Sequence, residues 1–374
     1  MQRFLLVIFV VLSVNAWTND KIKISVLTCS SGDELYSAFG HTALRVHNRQ
    51  TGDDLVYNFG QFDFDTPNFY MKFLQGRLKY RLGIHSYLEF LAKYSSRGRS
   101  IVEQEISMPA AQKKQLVDTL RFLYRPENRY YLYHFMDKNC TTEVRDLIIK
   151  ALGKKTSLNQ KQAGITFRQM LEYYLSEKPV LKAGIDLITG TKLDRELNQL
   201  QAMALPYKLM AGIDKLKING RPVVQKCVNV VSFPQQTYAR GWFYIITFYS
   251  LLVMMWLFIS EKFFVKVMWL LTSLPGIFIL GLQFFSEHAE FLNNWNLLWM
   301  NPLYLLLFVK RVKNNKIIFQ LFGYFVIVAL TTRFIVAGLQ PFNFVFLPWT
   351  VFLLLTFLPP SLLQKKIKIK QNLR

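Results

Sequence analysis

The sequence predicts an α+β soluble domain followed by an all-α bundle of five transmembrane helices. Segments of alternating polarity, mixed with amphipathic segments, extend to about residue 240 and indicate strands and helices in one domain. Long apolar runs begin at residue 241, as expected for membrane-spanning helices. A further apolar run at the extreme N-terminus predicts an export signal, so both parts belong to an exported chain.

Residues 1–16 have the pattern of a signal peptide. A short basic start is followed by an apolar core that is too short to span a bilayer, and small residues precede the expected cleavage site. We therefore expect the mature chain to begin near Trp17. The alternative is an N-terminal anchor that is not cleaved.

Residues 17–240 are long enough to form one compact domain. Alternating polarity predicts strands at 21–28, 41–47, 54–59, 77–82 and 101–108. Apolar spacing predicts one amphipathic helix at 110–124 and another that begins near Asn139, whose side chain is a suitable N-cap.

Residues 241–374 form the predicted membrane domain. Most of its apolar segments are near the length needed to cross a hydrocarbon core, although the third is short. The five segments are 242–259, 267–285, 297–309, 317–337 and 344–358.

The basic residues of this half predict its orientation. The loops 286–296 and 338–343 contain no Lys or Arg. The other connections and the C-terminal tail carry Lys262, Lys266, Lys310, Arg311, Lys313, Lys316, Lys365, Lys366, Lys368, Lys370 and Arg374. The positive-inside rule therefore places the C-terminus in the cytoplasm and the 17–240 domain in the periplasm, in agreement with the signal peptide.

The chain is strongly basic, with a formal net charge of +22. A basic exported domain beside a bilayer faces anionic lipid headgroups. Nucleic acid is the other common reason for such a charge, but the export signal and the membrane segments argue against a nucleic-acid partner.

The three cysteines are Cys29, Cys140 and Cys227. An odd number in an exported chain leaves at least one free thiol, and a Cys29–Cys227 disulfide is permitted. Their spacing matches no zinc site, so we predict no bound metal.

His41 and Cys140 form the candidate catalytic pair. His41 begins a predicted strand, and Cys140 lies in the first turn of a predicted helix, where the helix dipole lowers a thiol pKa. The imidazole can accept the thiol proton, and backbone N–H groups at the helix start can receive an oxyanion. Asn58 is the expected orienting partner of the base, with Asp63 or Asp65 as alternatives.

The loop 286–296 is rich in polar side chains and lies beside the predicted membrane surface. His288, Asn294 and Asn296 either line a lipid-access site or belong to an ordinary interfacial loop. Arg333, inside the fourth apolar segment, either serves a function within the bundle or extends its charge to the interface.

Several of these motifs together resemble the Lnb-type lipoprotein N-acyltransferases of Bacteroidota. The resemblance is carried by residues 32–46, 56–64, 139–142 and 145–146 in the first half and by 286–288 and 294–302 in the second. It implies a permuted papain-like domain, similar to the NlpC/P60 superfamily, in which histidine precedes cysteine. It also implies that Tyr36 and Arg145 support the site or bind substrate.

The resemblance implies a reaction in which Cys140 takes an acyl chain from a phospholipid as a thioester. The chain then passes to the N-terminal amine of a diacylglyceryl lipoprotein, and no cofactor is required. Two other functions are compatible with the sequence. One is a membrane-anchored cysteine hydrolase, acting as a peptidase, amidase or lipase, and the other is a non-catalytic envelope sensor.

Overall fold

A computed structural model describes residues 21–154, 158–234 and 240–357. The predicted signal peptide and its cleavage site lie outside the described residues, and so does the basic C-terminal tail.

The N-terminal domain is built on a seven-stranded antiparallel sheet with the order β11-β5-β1-β2-β3-β4-β6. Two further pairs, β7 with β8 and β9 with β10, form small separate sheets. The strands are β1 (Ile22–Cys29), β2 (His41–Asn48), β3 (Asp54–Gln61), β4 (Lys79–Ser86), β5 (Ile101–Ile106), β6 (Tyr130–Leu132), β7 (Gln162–Thr166), β8 (Glu196–Asn198), β9 (Lys217–Ile218), β10 (Arg221–Pro222) and β11 (Val224–Val231).

Helices cover both faces of the large sheet and extend the domain on one side. They are α1 (Phe69–Gln75), α2 (Tyr87–Ser95), α3 (Ala110–Tyr124), α4 (Cys140–Ala151), α5 (Phe167–Leu175), α6 (Pro179–Ile188) and α7 (Pro206–Asp214). Short 3-10 helices lie at Leu35–Ser37, Thr191–Asp194 and Gln201–Met203.

Alternating strand residues explain how the sheet is packed. Leu44 and Val46 of β2 share a core with Val144 and Ile148 of α4, whereas Ala43 on the opposite face packs with α2. This follows from the two-residue period of a strand, which turns successive side chains to opposite faces. The domain is therefore of mixed α/β type, as predicted.

The structure does not contain the disulfide that the sequence permits. Strand β5 lies between β1, which ends at Cys29, and β11, which carries Cys227. Cys227 pairs with Gln104 of β5, whereas Cys29 pairs with Ile101, so the two cysteines are neither on adjacent strands nor level with each other. All three cysteines are free.

The C-terminal region is helical and apolar. Its α-helices are α8 (Arg240–Phe258), α9 (Glu261–Phe285), α10 (Lys310–Asn314), α11 (Lys316–Ile335) and α12 (Leu347–Leu355). Among the described residues, three helical segments are long and apolar enough to cross a membrane: Gly241–Phe258, Glu261–Phe285 and Lys316–Arg333. A shorter apolar segment covers Phe344–Leu355. The predicted count of five spanning helices is therefore not confirmed.

The third predicted span, 297–309, is folded differently from the expectation. It consists of 3-10 helices at Trp295–Leu298 and Pro302–Phe308. The chain here packs so closely on α9 that a Cβ at Gly276 would collide with the Met300 carbonyl oxygen. Apolar content led to the prediction of a membrane-spanning helix here, because it does not distinguish an α-helix from a tighter 3-10 turn. Further 3-10 helices lie at Ala289–Phe291, Val336–Gly338 and Phe344–Phe346.

Candidate active site

Cys140 is the first residue of α4, and its position is set by the residue before it. Asn139 is the N-cap, and its side-chain oxygen accepts hydrogen bonds from the backbone N–H groups of Thr141 and Thr142. The Thr142 hydroxyl in turn accepts from the Asn139 N–H, which completes a capping box. The predicted helix start is thus confirmed.

This cap modifies the expected oxyanion site. Because Asn139 already occupies the amides of Thr141 and Thr142, those two groups are not free to bind an oxyanion. Among the described residues, the backbone N–H of Cys140 has no hydrogen-bond acceptor. It is therefore the backbone donor at this helix start that can still bind an oxyanion.

His41 begins β2 and is oriented by Asn58 of β3. Its Nε2 lies 2.7 Å from the Asn58 side-chain oxygen, which can only accept a hydrogen bond. In the neutral ring Nε2 therefore carries the hydrogen and Nδ1 keeps a lone pair. The geometry supports the predicted orienting role of Asn58, which is buried.

Gly60 is the point where the two candidate residues meet. Its φ of +82° lies in the left-handed region, and the pairing of β3 with β4 shifts register between Asn58 and Gln61. A Cβ built on Gly60 would lie 3.2 Å from Cys140 Cβ and 3.9 Å from His41 Cε1. The bulge and the missing side chain therefore bring the thiol and the imidazole around one small space.

A second contact joins the strand of His41 to the helix of Cys140. The buried hydroxyls of Thr42 and Thr141 are 3.1 Å apart, and the Thr141 hydroxyl lies 3.9 Å from the Cys140 sulfur. The two catalytic candidates are each next to one of these threonines, so this contact limits their relative movement.

The electrostatics differ from the expectation of an activated thiolate. Burial raises the pKa of Cys140 above its ordinary value, and this outweighs the lowering by hydrogen bonds from Thr42 and Thr141 and by the charge of Arg99. Burial, followed by Arg99, lowers the pKa of His41 to about 3, although Asn58 opposes this. The resting pair is therefore a neutral thiol beside a neutral imidazole. The prediction that the helix dipole lowers the pKa of Cys140 below its ordinary value was wrong, because it did not take the burial of the thiol into account.

Two residues missed by the sequence reasoning shape this environment. Arg99 is buried, donates to the Ser30 carbonyl at 2.8 and 2.5 Å, and places its guanidinium 4.7 Å from the ring centre of Tyr94. Tyr94 stacks on His41 at 6.1 Å. Both come from the α2–β5 region, and no local motif marks them, because their proximity arises from packing of α2 on the sheet.

Tyr131 is a further missed residue beside the pair. Its hydroxyl is buried and, within the described ranges, has no hydrogen-bond partner by distance and angle. It lies next to the Gly60 backbone, and burial, reinforced by Cys140, raises its pKa well above the ordinary value. It therefore remains a protonated donor close to the thiol.

The other predicted site residues of this domain lie in different settings. Tyr36 is half exposed and contacts the rings of Phe62 and Phe64. Arg145 is buried, pairs with Asp146 at 2.8 Å and donates to the Leu200 carbonyl at 3.2 Å. The alternative orienting residues Asp63 and Asp65 are exposed in the loop after β3, and it is Asn58 that contacts His41.

His288 joins the two halves of the protein. Its Nε2 donates to the Phe73 carbonyl of α1 at 2.8 Å, and its Nδ1 lies 3.6 Å from Glu290. Burial lowers the pKa of His288, whereas Glu290 and the Phe73 carbonyl raise it. The raising effects together are larger than the effect of burial, so the pKa lies above its ordinary value. In this position the side chain fixes α1 to the loop that follows α9.

Asn294 and Asn296 also join the halves, instead of lining an open lipid site. Both amides donate to the Leu187 carbonyl at the end of α6, at 2.8 and 3.0 Å, and Asn296 also donates to the Asp186 carbonyl. Arg333 is fully buried and donates to Asn296 and to the carbonyls of residues 340 and 341. Its charge therefore stays within the protein.

A mixed α/β domain with a thiol–imidazole site, joined to an apolar helical region, defines a membrane protein with a large domain beside the bilayer. The model of the Lnb N-terminal periplasmic domain matches residues 14–173, and that of the Lnb transmembrane domain matches residues 234–367. The chain belongs to the Lnb family. Neither the curated proteins nor the solved structures contain a match.

Proposed function

We propose that this protein is a lipoprotein N-acyltransferase that carries its acyl intermediate on Cys140. The observation that supports this most strongly is the convergence of Cys140, His41 and Asn58 around Gly60. Membership of the Lnb family suggests an enzyme that processes lipoproteins in the inner membrane. The chemistry below is that of a thiol nucleophile with a neutral imidazole base.

In the first half-reaction the Cys140 sulfur attacks the ester carbonyl of a phospholipid acyl chain. A sulfur–carbon bond forms, and the thiol proton moves to Nδ1 of His41, the ring nitrogen that keeps its lone pair. The ester carbon–oxygen bond then breaks, and His41 returns the proton to the departing lysophospholipid oxygen. The products are a Cys140 thioester and a neutral imidazole.

In the second half-reaction the α-amine of a diacylglyceryl lipoprotein attacks the thioester. A nitrogen–carbon bond forms, the carbon–sulfur bond breaks, and His41 transfers one amine proton to the sulfur. A neutral base suits this step because an α-amine with a pKa near 8 is partly neutral at physiological pH. The product is a triacylated N-terminus.

Both half-reactions develop negative charge on the carbonyl oxygen. The Cys140 amide and the Tyr131 hydroxyl are the donors that we assign to that charge. The hydroxyl has no competing partner in the resting site among the described residues, and its raised pKa keeps it protonated.

The fold and orientation belong to the same proposal. A histidine on a strand that precedes a cysteine at a helix start supports a permuted papain-like domain. The basic loops support a periplasmic catalytic domain and a cytoplasmic C-terminus. Such a topology places Cys140 on the side where exported lipoproteins are found. A C-terminal reporter that is active only in the periplasm would contradict this orientation.

The test uses the full-length protein in vesicles that contain phospholipid and a synthetic diacylglyceryl lipopeptide. Mass spectrometry should show the lipopeptide gaining one acyl chain, with an equal amount of lysophospholipid. Free fatty acid released at the same rate with or without lipopeptide would favour a hydrolase. A folded protein that forms neither product would favour the sensor.

A further inference from the structure

A group of largely exposed apolar side chains lies on α1, on the loop before it and on the 3-10 helix at Leu35–Ser37. We call Tyr36, Phe62, Phe64, Phe69, Tyr70 and Met71 the aromatic patch. Each of its five rings contacts at least one other, with centroid separations from 4.8 to 5.9 Å. Tyr36, Phe64, Tyr70 and Met71 are 48, 54, 74 and 57% exposed. A soluble surface rarely presents so many large apolar side chains together.

The patch is attached directly to the membrane region. The Ser286 hydroxyl donates to the Leu74 carbonyl at 2.5 Å, and the Glu287 N–H donates to the Gln75 carbonyl at 3.0 Å. His288 and the Arg77–Glu287 ion pair add two more contacts. These residues follow α9 immediately, so α1 lies at the end of a membrane-spanning helix.

The end of that helix indicates the depth of the patch. Phe284 and Phe285, the last two residues of α9, are 76 and 74% exposed. In a helix long enough to cross the bilayer, exposed phenylalanines at the end contact lipid at the interface. The α1 segment is hydrogen-bonded to the next three residues, so its exposed side chains lie near the same level.

The patch is also continuous with the active site. Phe62 contacts Tyr80 at 5.1 Å, and Tyr80 contacts Tyr131 at 6.3 Å. Tyr131 lies beside Gly60, which adjoins Cys140. A series of aromatic contacts, through the buried ring of Tyr80, thus connects the exposed patch to the residues beside the thiol.

We propose that the aromatic patch inserts into the bilayer interface and is the path by which a phospholipid acyl chain reaches Cys140. Asp63 and Asp65 border the patch and Lys72 lies in α1 beside it, so the charges around the patch largely offset one another and apolar burial drives insertion into a zwitterionic membrane. The proposal that the patch inserts rests only on the structural observations above. The acyl-chain path rests on the proposed function.

Insertion is tested with a fluorophore on full-length protein in phosphatidylcholine–phosphatidylethanolamine nanodiscs. The label is attached through Met71→Cys or, as a control, Phe122→Cys, in a background of Cys140→Ser and Cys227→Ser. Phe122 is 51% exposed and belongs to α3. Lipids with bromine near the headgroup end of the chain should quench the label at position 71 strongly and that at position 122 weakly. Equal, weak quenching at both positions would overturn insertion.

The path is tested with Tyr70→Asp and Met71→Asp, compared with Phe122→Asp, in protein that keeps Cys140. Each patch variant should lower the rate of Cys140 acylation by vesicle phospholipid by about tenfold, because a carboxylate removes one buried apolar contact. Acylation by a water-soluble short-chain thioester should be unchanged. Equal rates with vesicle lipid for patch and control variants would overturn the path. If the wild-type protein forms no acyl adduct, the proposed function fails, while the quenching result still decides insertion.

Discussion

The Nε2–H of His41 donates to the side-chain oxygen of Asn58 at 2.7 Å, and this bond determines which ring nitrogen can act as a base. The amide oxygen has no hydrogen to offer, so Nδ1 is left with the lone pair. Burial and the charge of Arg99 keep the ring neutral, and burial keeps the Cys140 thiol protonated. The site therefore depends on proton transfer during attack and not on a preformed thiolate.

The alkylation rate of Cys140 should reveal this protonation state. A raised thiol pKa means that the thiolate fraction falls about tenfold for each pH unit below it. Modification by iodoacetamide should therefore rise steadily from pH 6 to pH 9. Intact-protein mass at timed intervals measures the rate, with Cys227→Ser removing the exposed thiol. A rate already constant between pH 5 and pH 8 would indicate a thiolate–imidazolium pair instead.

Gly60→Ala should abolish most acyl transfer. The new Cβ would lie 3.2 Å from Cys140 Cβ, and the residue keeps a φ of +82° that L side chains rarely adopt. Gly52→Ala is the matched control, because Gly52 has a φ of +81° and open space around the added carbon. Both variants should lose about 1 kcal/mol of stability, but only Gly60→Ala should lose activity. Equal activities in the two folded variants would contradict the placement of Gly60 between the catalytic residues.

Tyr131→Phe should slow the chemical step without weakening the fold. The hydroxyl makes no hydrogen bond within the described residues, so its removal leaves no partner unsatisfied. Loss of one oxyanion donor typically costs about 100-fold or more in rate. Single-turnover acylation and thermal unfolding measure the two effects. A lower melting temperature with an unchanged acylation rate would show that Tyr131 serves packing alone.

Asp186→Ala should weaken the connection between the two halves. Asp186 is buried, pairs with Arg168 at 2.9 Å and Lys182 at 3.1 Å, and accepts from the Asn343 amide at 2.9 Å. Arg168 keeps its ion pair with Asp194 at 2.7 Å, so the loss should be smaller than the roughly 3–5 kcal/mol of a buried charge left without a partner, while the contact to Asn343 across the halves is lost. Glu172→Ala is the control: its exposed pairing with Lys182 contributes less than about 1 kcal/mol. Similar unfolding curves for both variants would refute this role.

Local sequence signals predicted the central elements of the N-terminal domain. Alternation identified β1, β2 and β3, and the capping residue Asn139 identified the start of α4. These signals depend on neighbouring residues, so they also placed His41 and Cys140 on the correct elements.

Features that arise from distant contacts escaped the sequence reasoning. Arg99 and Tyr94 reach His41 through the packing of α2, and the thiol pKa depends on burial by several elements. Asn294 and Asn296 were recognised as polar loop residues, but their acceptors on α6 are more than a hundred positions away. No local pattern contains that information.

The most direct test of the account is the intact mass of the full-length protein after incubation with phospholipid vesicles and no lipopeptide. We expect a gain of one fatty acyl chain that neutral hydroxylamine removes and that a diacylglyceryl lipopeptide takes up faster than water does. Cys140→Ala should show no gain. Formation of the triacylated lipopeptide by folded Cys140→Ala protein at the wild-type rate would contradict the central claim.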